Sequence, residues 1–183
     1  MVSATKSRAT EKIEEHILQE DQQSRELLEK SIFPLTKETL RFVFDSLDKQ
    51  MKHTEQIMVL AVDQSDEEKK RLHQTLVTVR RLLKDRLLRE VMREIEQRRI
   101  EKNDIEKQQV QGSHSHQSLS RVKNIVEGCE NLVLVLRKEL ETLDTIDTYI
   151  NKNNVDGIKG LWAQFLESCR WEAGLLRQLQ SSL

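Results

Sequence analysis

Between Leu119 and Ile150 the apolar residues keep a spacing suited to one long helix lying along others. Leu119, Val122, Val126, Cys129, Val133, Leu136, Leu140, Leu143 and Ile150 recur at alternating steps of three and four, interrupted only at Asp147. That is a heptad seam, which lets one helix lie against another over its whole length. Glu127, Glu130, Arg137, Lys138, Glu139 and Glu141 read as keeping most of the rest of this helix in water. The stretch offers a surface for meeting helices and nothing that resembles chemistry.

The remainder of the chain supports long helices. Among 183 residues there are one proline and five glycines, and 33% are charged. Few breakers and many Leu, Glu, Lys, Arg and Gln residues favour helix over strand. Hydrophobic residues are 37% and the mean hydropathy is -0.63. Such a supply covers narrow seams better than a broad core. The expected fold is therefore all-α, made of elongated helical hairpins and coiled coil, as a subunit of a hetero-oligomeric helical bundle.

In order, residues 1–8 read as a disordered N-terminus and 9–64 as N-terminal helices forming a head hairpin. A first helix is expected over 10–32, sparse in apolar residues and acidic through Glu11, Glu14, Glu15, Glu20, Asp21, Glu26 and Glu29. Phe33-Pro34 breaks it, because proline disfavours helix in the residue before it. The second helix runs from about Lys37 to Val62. Leu40, Val43, Phe44, Leu47, Met51, Ile57 and Met58 share one face, as a hairpin core or a docking groove. Ser65 with Glu68 forms a capping box and starts the coiled-coil helix of 65–110. Its stripe is Leu72, Leu76, Val79, Leu83, Leu87, Val91, Ile95 and Ile105. Arg80, Arg81, Lys84, Arg86 and Arg89 form a basic cluster there. It is read as a solvated face, a site for phosphate or an acidic protein, or a seat for the acidic first helix.

Residues 111–118, part of the polar run QQVQGSHSHQS, read as a flexible linker, and 119–183 as a C-terminal coiled-coil hairpin. Asn151 to Gly157 separates its helices, with Asp156 as the candidate cap of the second. In that last helix Ile158, Trp162, Phe165, Cys169, Leu176 and Leu179 keep helical spacing. Trp162, Phe165 and Trp171 either close the hairpin tip or anchor another subunit.

No catalytic pattern, glycine-rich phosphate loop or cofactor motif is present, and the carboxylates read as exposed and unshifted. His114 and His116 lack the further ligands of a zinc site. Cys129 and Cys169 both fall on seams and read as small core residues of a reducing compartment. A formal net charge of -1 argues against direct nucleic-acid binding. No segment approaches the roughly 20 apolar residues of a membrane span, and the first residues lack a signal peptide's apolar run. A soluble intracellular protein without enzymatic activity, cofactor or small-molecule substrate is expected. Its binding surfaces would be Leu40, Phe44, Leu47 and Met51; Leu72, Leu76, Val79 and Leu83; the seam positions Val122, Val126, Cys129, Val133, Leu136, Leu140 and Leu143; and Trp162, Phe165 and Leu176.

Three stretches carry a family resemblance: IFPLTKETLRFVFDSL (32–47), TLVTVRRLLKDRLLREVMREIEQRRIEKNDI (75–105) and SLSRVKNIVEGCENLVLVLRKELETLDTI (118–146). Their order resembles the Nsl-type subunit of the four-subunit MIND (Mis-twelve) complex of kinetochores. The resemblance implies a rod-shaped heterotetramer that joins inner centromere proteins to the microtubule-binding NDC complex and the KNL scaffold. An N-terminal hairpin would share a head with one sister subunit, and the C-terminal helices would lie in the common bundle. Family members extend past that bundle in a tail that binds the NDC complex. Here the sequence ends at Leu183, so Trp162 to Leu179 would serve instead. The expected place is the nucleus, at the centromere. The alternatives are a cytoplasmic vesicle- or organelle-tethering complex, a spindle complex, or a self-sufficient homodimeric helical binding module.

Overall fold

The computed structural model describes residues 34–110 and 116–183, with Glu11, Glu15 and Glu29 as isolated helical positions. The expected disordered N-terminus, most of the first helix and residues 111–115 of the linker lie outside the described residues. Among the described residues there are four helices and no strand: α1 Lys37–Ala61, α2 Asp66–Val110, α3 His116–Asn151 and α4 Ile158–Ser182. The fold is all-α. The helices pack in a ring, each antiparallel to the next, with α4 returning against α1. The diagonal pairs, α1 with α3 and α2 with α4, make no close backbone approach. The pairs α2–α3 and α3–α4 are the most extensive, and α1 rests more on α4 than on α2.

Local chemistry sets the ends of these helices. Thr36 caps α1, its hydroxyl accepting from Thr39 N while Thr39 Oγ1 accepts from Thr36 N. That reciprocal pair satisfies two donors that helix geometry leaves open. Ser65 Oγ accepts from Glu68 N at 3.3 Å, where the capping box was expected. Helix α3 begins at His116, three residues before the Leu119 at which the heptad seam starts. After α3, Asn153 adopts φ 56°, and Asn153 N and Asn154 N return to Ile150 O and Tyr149 O. This left-handed closure suits asparagine. Asp156 does not cap α4; Gly157 occupies that position without a side-chain bond. A Cβ there would lie 2.7 Å from the Tyr149 ring, so the close approach of loop to ring requires glycine.

The core explains why the heptad seam understates α3. The seam residues are buried or half-buried, but so are Ile125, Leu132, Val135 and Ile146. A heptad seam serves one neighbour, whereas α3 is packed by α2 on one flank and α4 on the other, so its apolar arc is wider. Ile146, fully buried, fills the step before Asp147 where the pattern lapses. Long α2 spans roughly 68 Å against roughly 38 Å for α1. Leu35, just before α1, donates its N–H to Glu94 Oε2 at 3.2 Å. The last four or so turns of α2 therefore run past the start of α1.

Replacing a central α3 residue tests this core. Leu136 is fully buried, and Leu136→Ala should lower unfolding free energy in chemical denaturation by about 2–5 kcal/mol. Leu134 is 64% exposed on the same helix, and Leu134→Ala should change it by less than about 0.5 kcal/mol.

Candidate interaction surface and the buried polar layer

The structure brings most of the sequence-predicted binding residues into the chain's own core. Leu40, Leu47, Leu72, Leu76, Val79, Leu83, Val122, Cys129, Val133, Leu136, Leu143, Trp162, Phe165 and Leu176 are buried. Phe44, Met51, Val126 and Leu140 are half-buried. These stripes are covered by the chain's own helices. Trp162 and Phe165 meet edge to face at 5.5 Å between ring centres inside the bundle. Trp171 alone of the aromatic trio is exposed, at 57%.

The outward apolar surface lies elsewhere. Leu82, Met92, Ile100 and Leu134 are each about half exposed or more. Met92, Ile95, Ile100 and Val133 line a shallow groove along α2 and α3, rimmed by Glu96, Arg99, Asn103, Glu130 and Arg137. Arg99 bridges to Glu130 at 2.8 Å across it, a half-exposed pair of little net stability. Periodicity singled out inward positions only. Met92 and Ile100 lie off the α2 stripe, and that displacement was the available signal.

A polar layer crosses the middle of the bundle. Lys84 on α2 lies 2.7 Å from Glu172 Oε1 on α4 and 3.2 Å from Glu139 Oε2 on α3, with none of the three more than 2% exposed. The Lys84 ammonium also sits 5.8 Å from the Phe165 ring centre. One turn earlier on α2, fully buried Arg80 donates to Gln50 O and Thr54 Oγ1 of α1, both at 3.0 Å. The basic cluster is thus not a uniformly solvated face, because Arg80 and Lys84 point inward while Arg89 stays exposed beside Asp85. Glu139, expected in water, is also core. So are Glu90 and Glu94, the latter accepting from Leu35 N and, at 2.7 Å, from Arg98 Nε.

Burial governs the electrostatics here. It pulls the Arg80 guanidinium down to about 9. Burial also opposes the charge on Lys84, but Cys169, Glu139 and Glu172 around it raise its pKa. Burial and then the adjacent Glu172 carboxylate push Glu139 well above the usual carboxylate range, against the pull of Lys84. The expectation of unshifted carboxylates fails at this residue. Burial likewise pushes the Cys129 thiol up to about 12 and raises Cys169, so both remain thiols. Among the described residues no group of three or more His, Cys, Asp or Glu side chains could hold a metal ion. No helix there is long and apolar enough to cross a membrane.

A second diagonal contact joins α2 to α4. Trp162 Nε1 donates to His73 Nδ1 at 3.0 Å, and burial holds His73 down at about 4. The bond needs neutral imidazole as acceptor. Compared with protein-family models, curated proteins and solved structures, the chain matches none.

The His73 contact has a pH signature. Its folded pKa lies below the unfolded value of 6.5, so its stability is present above 6.5 and lost as pH falls toward 4. In urea titrations His73→Gln should remove up to about 3 kcal/mol of acid sensitivity from that window. An unchanged slope would place the imidazole outside the linkage.

Proposed function

We propose that the chain is a non-catalytic helical adaptor that binds other proteins as a subunit of a larger assembly. The observation that supports this is the apolar groove of Met92, Ile95, Ile100 and Val133, open on the outer side of α2–α3 while the core stripes are closed. An amphipathic partner helix could lay its apolar positions into such a groove. The MIND complex is the particular assembly favoured by the sequence resemblance. In it the chain would link inner centromere proteins to the NDC complex and the KNL scaffold during chromosome segregation.

The covered stripes favour a second reading, a helical binding module that folds without sisters. Residues that sister helices would cover, such as Leu76, Leu136 and Trp162, are already buried. Light-scattering mass and circular dichroism on one chromatographic peak separate the two. A cooperative helical monomer or dimer supports the module; a weakly helical, polydisperse species supports the obligate subunit.

Groove variants test the adaptor itself. Met92→Glu with Ile100→Glu should leave helicity and melting unchanged. It should also abolish co-purification with co-expressed MIND sisters and remove a tagged copy from mitotic kinetochores. Retained binding would discard the groove, and a wild-type chain that binds no sister and never reaches kinetochores would discard the MIND assignment.

A further inference from the structure

The bundle contains an imbalance that its packing does not remove. Two carboxylates, Glu139 of α3 and Glu172 of α4, converge on the single ammonium of Lys84 from α2, all three closed to solvent. Lys84 donates to Glu172 Oε1 at 2.7 Å. Neither oxygen of Glu139 accepts a hydrogen bond, although its Oε2 is only 3.2 Å from that ammonium. A fully ionised buried carboxylate without a donor destabilises the fold that holds it. Two carboxylates sharing one site ionise together only against their mutual repulsion.

The neighbouring groups do not supply the missing donor. On α2, Arg80 turns toward α1, bonding Gln50 O and Thr54 Oγ1. Arg81, also on α2, is engaged with Asp144 at 2.6 Å near the surface. From α4, Cys169 remains a thiol. In the polar layer α1 presents Gln50 and Thr54, which do not titrate in water. What would complete the layer is a hydrogen on the Glu139–Glu172 pair itself.

We infer that the folded bundle holds one proton between Glu139 and Glu172, beside the Lys84 ammonium, as a clasp that joins α3 to α4 and loosens when the proton leaves. The proton comes from solvent as the chain folds and returns to it on unfolding. With it bound, one carboxyl is neutral and can donate, the other remains the counter-ion of Lys84, and the cluster of Lys84, Glu139 and Glu172 is neutral within itself. Without it, two carboxylates on adjacent helices compete for one cation, and the α3–α4 seam bears the repulsion. The proton belongs to the pair rather than to either residue.

The sign follows from linkage. A carboxyl raised in the folded state stabilises fully below its unfolded pKa, and that stability is lost as pH rises toward the folded value. Folding equilibrium constants measured by urea titration between pH 7 and 8, in wild type and variants side by side, read this group. What unfolded His73 and the thiols still titrate in that window is common to wild type and variants, so the difference between their slopes reads the carboxyl pair. The wild-type constant should fall by up to tenfold per pH unit, the slope of one proton. Glu139→Gln and Glu172→Gln should each abolish that slope, since either leaves one carboxylate for one ammonium. Glu141→Gln, on the exposed face of α3, should keep it. Equal slopes in wild type and both core variants would overturn the inference.

Should neither core variant fold, the wild-type protein provides the readout. Infrared spectra of the folded chain at pH 7 should contain the carbonyl stretch of a protonated carboxyl, lost on unfolding at the same pH. Its absence from the folded spectrum would also overturn the inference.

Discussion

The length of α2 is the constraint to which the other helices answer. A 45-residue helix is too long for α1 or α4, each of 25 residues, to cover. Only α3, with 36 residues, approaches it, so α2 and α3 form the antiparallel spine of the bundle. The two shorter helices then complete a four-helix section over part of that spine. Cross-links fix the alignment at several levels: Lys70 with Asn153, Arg81 with Asp144, Arg99 with Glu130. Each exposed link adds little energy. Together with the apolar core they are mutually consistent with one antiparallel alignment.

The polar layer has a different physical character. An apolar stripe tolerates sliding by a turn, since one leucine replaces another. Lys84 tolerates none, because a shift of one helix would bury the ammonium or a carboxylate without its partner. Ionic groups in a core sacrifice stability that well-packed apolar residues would supply. Here the groups from α2, α3 and α4 meet at one level, and Arg80 adds α1 one turn away through Gln50 and Thr54. Together they mark a single axial alignment of four helices, the kind of specification a periodic apolar pattern cannot supply.

The helices themselves were legible because their signals are local. Ser65 with Glu68, the Asn-rich stretch before Gly157 and the three-four spacing all act within a few residues. The identity of the partners was not legible, because periodicity shows that a face is buried without saying against what. Leu76 and Val133 looked like positions awaiting another chain, and they meet this chain's own helices. Arg80, Lys84 and Glu139 looked wet for a related reason. Charge type predicts exposure well on average, and the exception depends on a counter-charge that arrives from another helix, 88 residues away for Lys84 and Glu172. The groove was missed because Met92 and Ile100 interrupt a charged face singly.

The attachment of α1 to α4 gives the chain an order in time. Glu55 reaches Arg170 at 3.5 Å, and Arg177 lies over the Phe44 ring at 5.0 Å, while α1 and its sequence neighbour α2 touch sparingly. On the ribosome α1 emerges before the other three described helices, yet the helix it leans on begins only at Ile158. At about 5–20 residues per second, that separation is a wait of roughly 5–20 s. During that interval the apolar face of Leu40, Val43 and Leu47 stands uncovered by its principal neighbour, so a helix made early is among the last to be secured.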